Sequence, residues 1–218
     1  MQIEAILEML LRQRFTAKAY DNSRKLTDEE KRVILDLLRF SPSSVNIQPW
    51  HFFVVENDEA RARIMPAVME GNVSKVTNAS MTVVFAMPTE LTEAHYQALL
   101  EREQEDGRYA DDEARAREDG VRRFFTGLNS KTPEQQRAWM TRQVYISLGF
   151  LLLGVSTLGL DATPLEGFDN AKMDELLGLK EKGLTSVVMA CIGQSSEDDF
   201  NAKLPKSRLE PEQVITIL

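Results

Sequence analysis

Cationic side chains fall at three points where helical patterning lapses: Arg14-x-Thr16-x-Lys18, Asn72-x-x-Lys75 and Lys206-Ser207-Arg208. In a chain with 26 Lys+Arg against 34 Asp+Glu, a net charge of −8, cations gathered on loops are what a bound anion requires. Arginine grips phosphate bidentately, and lysine supplies a compact charge. The same overall acidity repels nucleic acid and anionic membranes at long range, so neither is an expected partner. One cysteine, Cys191, and two histidines, His51 and His95, are too few for the common zinc sites, and no metal is expected.

Other chemistries lack their residues. No G-x-G-x-x-G follows a strand pattern, and although Gly178 and Gly183 are spaced like P-loop glycines, Leu184 stands where the lysine must be. His51 lies in an apolar strand-like run and reads as core filling; His95 lies on a polar helix and reads as solvated surface. Neither has a sequence cue linking it to a nucleophile. Cys191 sits inside an apolar strand as a small hydrophobe. An enzyme built from these residues would take its reactive group from a bound cofactor.

The elements that must position the cations are legible from periodicity. The 218 residues, 43% hydrophobic, suffice for one large core, and no repeat or Gly/Ser/Pro linker divides residues 1–218. Ile3, Ile6, Leu7, Leu10 and Leu11 predict an amphipathic helix ending before Arg14. Thr27-Asp28-Glu29-Glu30 predicts a capping box for a helix burying Val33, Ile34, Leu37 and Leu38. After the polar loop 41–50, a strand over 51–56, a helix over 58–70 and a strand over 80–86 are expected. Residues 91–129 read as a charged helical excursion with Tyr109, Phe124 and Phe125 on an aromatic side. Thr132-Pro133 opens a long helix to about residue 158, whose apolar stretch 144–160 fits a core or subunit interface better than a membrane. A short strand over 161–165, a helix capped by Asp169 and ending near Gly178, and a buried central strand over 186–192 follow. The tail, 194–218, has no helical stripe and ends in Val214-Ile215-Thr216-Ile217, which either frays or docks as a strand on another chain. The expected class is α+β, a small central sheet flanked by helices. Met1-Gln2-Ile3-Glu4 carries acid where a signal peptide carries base, so a cytoplasmic protein is expected.

Taken together, Arg14-x-Thr16-x-Lys18-Ala19-Tyr20, Ser41-Pro42-Ser43-Ser44-x-Asn46-x-Gln48-Pro49-Trp50-His51-Phe52, Gly159-Leu160-Asp161-x-x-Pro164-x-Glu166-Gly167-Phe168 and Phe200-Asn201-x-x-Leu204-Pro205-Lys206-Ser207-Arg208-Leu209 closely resemble the FMN-dependent nitroreductase family, in its enterobacterial minor oxygen-insensitive NAD(P)H branch. The resemblance runs through nearly the whole chain in order. It implies a nitroreductase-like FMN-binding fold in an interlocked homodimer, with FMN in clefts at the subunit interface and the tail wrapping the other chain. By motif position, Arg14, Lys206 and Arg208 should hold the phosphate, with Phe15 and Thr16 beside them. Lys18 and Lys75 should face N1 and O2 of the flavin, and Asn72 its pyrimidine edge. Pro42, Ser43, Ser44 and Asn46 should come from the opposite subunit, and Pro164, Leu165 and the backbone at Glu166-Gly167 should lie against N5 and O4. Val45, Gly71, Arg108, Tyr109 and Phe125 should border the substrate.

The implied activity is two-electron, ping-pong hydride transfer from NADH or NADPH to nitroaromatics, quinones or similar flat acceptors. The chemistry fits the residues: fixed ammonium groups stabilise the charge that reduction leaves near N1 and O2, and a backbone N–H aimed at N5 orients the hydride acceptor, so neither triad nor metal is needed. The Glu166 side chain is then expected to be chemically idle. Phe15, Val45 and Gly71 depart from the family pattern and alter pocket shape. The competing readings are a non-catalytic flavin-binding or delivery protein, and a reductase of a pterin or free flavin on the same fold.

Overall fold

The computed structural model describes residues 3–218; Met1 and Gln2, which begin the acidic terminus read above, lie outside the described residues. Its elements are α1 (Ile3–Gln13), α2 (Asp28–Arg39), β1 (His51–Val55), α3 (Asp58–Ile64), α4 (Glu70–Asn78), β2 (Met81–Pro88), α5 (Glu93–Glu105), α6 (Asp112–Leu128), α7 (Pro133–Thr157), β3 (Asp161–Leu165), α8 (Asn170–Leu177), β4 (Leu184–Gly193) and the one-turn α9 (Pro211–Val214).

The four strands form one antiparallel sheet in the order β1-β2-β4-β3. Helices cover both faces, which is why β2 and β4 read as unbroken apolar runs. Val83, Phe85, Val188, Ala190 and Ile192 point to one side, against Ile34 and Leu38 of α2, Tyr96 and Leu99 of α5, and Trp139, Met140, Val144, Leu148, Leu151 and Val155 of α7. Val84, Ala86, Met189 and Cys191 point to the other, against Ile64 of α3, Val76 of α4, Met173 and Leu177 of α8, and Ala17 and Tyr20. The α+β expectation and the central place of β4 are met.

Local signals account for the helix ends. Thr27 and Glu30 close a reciprocal capping box, Thr132 caps α7 ahead of Pro133, and Asp169 caps α8, which stops at Gly178 in the left-handed region (φ +60°). The expected helix over 58–70 is instead broken: Pro66 sits in a tight turn after α3, and a separate helix, α4, begins at Glu70. Asn72 and Lys75 therefore stand on a helix rather than at a chain break. The tail carries a short turn of helix at Pro211–Val214 that its sequence did not announce.

His51 is exposed on the edge strand, tilted against Phe53 at 4.7 Å, and so is not core. His95 is half-buried, and its Nε2 lies 2.6 Å from the Ile47 carbonyl. Cys191 is buried as expected, and burial pushes its thiol up to about 11. By length and apolarity α7 would qualify as a membrane span, but its core-facing side fills one layer of this fold.

Candidate active site

The edge strand β3 organises the cations. The segment after α1 runs beside it: Thr16 bridges to Ala162, and the Thr163 hydroxyl donates to the Ala17 carbonyl while meeting the Tyr20 hydroxyl at 2.9 Å. This brings Arg14, Thr16 and Lys18 to the sheet edge.

The tail is then pinned onto that segment. Asp199 is fully buried, and its carboxylate accepts from the backbone N–H of Lys18 at 2.5 Å and of Ala19 at 3.0 Å. Burial alone would raise its pKa, but these and the Asn201 and Ala202 amides outweigh it and hold the carboxyl below the usual range. Asn201 donates to the Thr16 carbonyl at 2.8 Å. Asp199 and Asn201 are thus the residues that bring the tail home; Asn201 stands in the 200–209 motif quoted above, whereas Asp199 carries no signature apart from preceding that motif.

Between the segment and the tail lies a cavity of about 380 Å³ bordered by Arg14, Phe15, Thr16, Lys206 and Arg208. Lys206 donates to the Arg14 carbonyl. Its ammonium is held below the ordinary lysine value by partial burial and by the charges of Arg14 and Arg208. Among the described residues, Arg14, Lys206 and Arg208 form no ion pair. Three mutually repelling cations without a carboxylate are an anion-binding arrangement, and a phosphate fits their chemistry.

Beyond the other end of β3, the turn Glu166-Gly167 packs against α4. Asn72 donates to the Gly167 carbonyl at 3.0 Å, Met69 N–H donates to the same carbonyl at 3.1 Å, and Lys75 donates to Gly71 O at 2.6 Å and Asn72 Oδ1 at 3.1 Å. The Tyr145 hydroxyl donates to Glu166 Oε1 at 2.5 Å; burial and the neighbouring carboxylate raise the phenol to about 12. Pro164 and Leu165 close β3 between the two groups.

The remaining predicted residues lie elsewhere in the chain. Pro42, Ser43, Ser44, Val45 and Asn46 belong to the 41–50 loop, outside the cationic cavity. Ser44 N–H donates to Gln143 at 2.9 Å and Asn46 donates to Glu103 at 2.7 Å. Gly71 is in the first turn of α4. Arg108 is exposed and Tyr109 buried in the α5–α6 turn, with the Tyr109 hydroxyl donating to Glu103. Phe125 is exposed on α6, edge-on to Phe124 at 5.3 Å.

With this geometry in view, the likeness to known proteins is specific. The model of the Nitroreductase family matches residues 11–194. The oxygen-insensitive NAD(P)H nitroreductase of Salmonella typhimurium is 45% identical over 207 residues, covering 94% of this chain and 95% of that enzyme. The major NAD(P)H-flavin oxidoreductase of Aliivibrio fischeri is 34% identical over 212 residues, covering 95% and 96%. In fold, a candidate nitroreductase from Exiguobacterium sibiricum solved in complex with FMN aligns with a TM-score of 0.82 over 97% of each chain at 21% identity.

Proposed function

This chain belongs to the nitroreductase family, and on that basis we propose that it is an FMN-dependent, oxygen-insensitive NAD(P)H oxidoreductase acting on nitroaromatics, quinones or similar flat acceptors. The observation that carries the reading is the unpaired Arg14, Lys206 and Arg208 cluster, set beyond one end of β3 while the Glu166-Gly167 turn, Asn72 and Lys75 stand beyond the other. FMN bound there would supply the hydride and two-electron chemistry that links NAD(P)H to the acceptor.

The chain's own part is binding, orientation and electrostatics. Arg14, Lys206 and Arg208 hold the phosphate with Thr16. Lys18 and Lys75 supply positive charge beside N1 and O2, Asn72 addresses the pyrimidine edge, and the Glu166-Gly167 backbone faces N5. A likeness to the Aliivibrio enzyme favours free flavin as a second acceptor class.

The active unit in this reading is an interlocked homodimer, in which the 42–46 loop completes the site of the other copy. Its support is apolar surface that one chain leaves uncovered: Tyr145, Ile146 and Phe150 on α7, Leu7 and Leu11 on α1, and Val214, Ile215 and Ile217 in the tail. A cytoplasmic location, where the nicotinamide donor is found, accompanies it. Purified protein should be yellow with about one FMN per chain, bleach anaerobically with NADH, and recolour on menadione or nitrofurazone. Light scattering should give twice 24.7 kDa. A colourless protein that takes up no FMN overturns the reading.

A further inference from the structure

The loop that precedes β1 is held in an unfavourable shape. Val45, Asn46 and Gln48 all lie in the left-handed region, at φ of +48°, +53° and +45°, and none is glycine. A β-branched residue such as Val45 resists this most, so the conformation persists only where surrounding groups over-determine it.

Those groups converge on one buried pair. Asn46 donates to Glu103 Oε1 at 2.7 Å, Arg122 Nε donates to the Val45 carbonyl at 3.1 Å, and Arg122 Nη2 closes on both Glu103 oxygens at 2.7 and 2.6 Å. Tyr109 donates to Glu103 as well. Glu103 is 4% and Arg122 3% exposed, and Arg122 Nη1 has no hydrogen-bond partner among the described residues. A buried ion pair is poor evidence of stabilisation, because apolar side chains of the same volume join two helices as well or better. What apolar side chains could not do is fix the direction of a carbonyl and an amide on a third segment.

We propose that Glu103 and Arg122 are positioning residues, which lock the 43–48 loop in the shape that meets the flavin bound by the second copy. The inference rests on the flavin-reductase reading above. It assigns the mid-chain charges of α5 and α6 a role in the reaction that their sequence context, a run of charge on helices, hides.

The test is made on the flavin-loaded protein with Glu103→Ala, Asn46→Ala and the double variant, and with Glu103→Gln where the alanine fails to fold. Hydrogen exchange at the Asn46, Ile47 and Gln48 amides should quicken tenfold or more in Glu103→Ala, while the β2 amides stay unchanged. Turnover per bound flavin should show acceptor KM raised at least fivefold. In the Asn46→Ala background, removing Glu103 should add little, because both act through one loop. Wild-type exchange at the loop, an unaltered kcat/KM per flavin, or additive losses would each overturn the positioning role. A wild-type protein that neither holds flavin nor bleaches with NADH instead removes the reading beneath it, and the role falls with it, even where exchange shows the loop to be held.

Discussion

The Asn72 side-chain amide donates to the Gly167 carbonyl at 3.0 Å and would stand 2.4 Å from a Cβ placed on residue 167. Glycine is needed here for closeness, since any side chain would push Asn72 aside and with it the Oδ1 that receives Lys75. Gly167→Ala should therefore cost only about 1 kcal/mol in stability, the scale of one hydrogen bond. It should keep FMN through the phosphate cluster yet slow anaerobic reduction by NADH. Stopped-flow reduction at the wild-type rate would show that the Asn72–Gly167 contact is packing alone.

Lys206 predicts an anion-dependent stability. Its folded value lies below the ordinary 10.5 because partial burial and then Arg14 and Arg208 disfavour its charge. Between that lowered value and 10.5 the unfolded chain binds more protons, so stability of the FMN-free protein rises with pH through this alkaline window and is lost again as pH falls through the folded value. A bound phosphate reverses the penalty. Inorganic phosphate should raise the Tm of the FMN-free protein, and Arg208→Ala should abolish the rise and weaken FMN retention by roughly 1.5–3 kcal/mol. Equal stabilisation by phosphate in both proteins would mean that the cations act separately.

How much of this was readable depends on the range of the interaction. Thr27, Thr132-Pro133 and Asp169 announce their helices because capping is settled within four residues. Helix α4 has no such signal: its N-cap is Met69, which offers no side-chain cap, and Gly71, Asn72, Val73 and Thr77 are weak helix formers. Its place is decided by packing of Val76 under β2 and β4. At the site, the cations stand out in an acidic chain, whereas Asp199 finds its partners about 180 positions away and Glu103 meets Arg122 across 19, distances over which no local pattern operates. His51 reads as core because β1 is apolar, but β1 is an edge strand.

Glu166 should prove chemically idle. Its carboxylate is taken up by the Tyr145 hydroxyl at 2.5 Å, and burial together with that carboxylate raises the Tyr145 phenol to about 12, so the two side chains are committed to each other. Glu166→Gln and Tyr145→Phe should leave turnover within about threefold of wild type, against the hundredfold or more expected on losing a general acid. A loss of that larger size in Glu166→Gln, with FMN still bound, would make Glu166 a proton donor.

Lys18 and Lys75 should matter to electron transfer more than to FMN retention, because a positive charge beside N1 and O2 favours the reduced, anionic ring over the oxidised, neutral one. The two are built differently. Lys75 is fixed by Gly71 O and Asn72 Oδ1, whereas only the backbone of Lys18 is tied, to Asp199, and its half-buried side chain forms no ion pair among the described residues. Losing a charge-assisted contact of roughly 2–3 kcal/mol lowers a two-electron midpoint potential by about 50 mV. Lys18→Met should show that drop alone, since no neighbour depends on its ammonium. Lys75→Met should show the drop together with a looser Asn72, and so a larger fall in the NADH reduction rate for the same change in potential. Spectroelectrochemical titration of the three holoproteins, paired with stopped-flow reduction, separates the two effects. Midpoints within about 10 mV of wild type in both variants, far short of the expected two-electron shift, would make these lysines ordinary surface cations and place the ring the other way round.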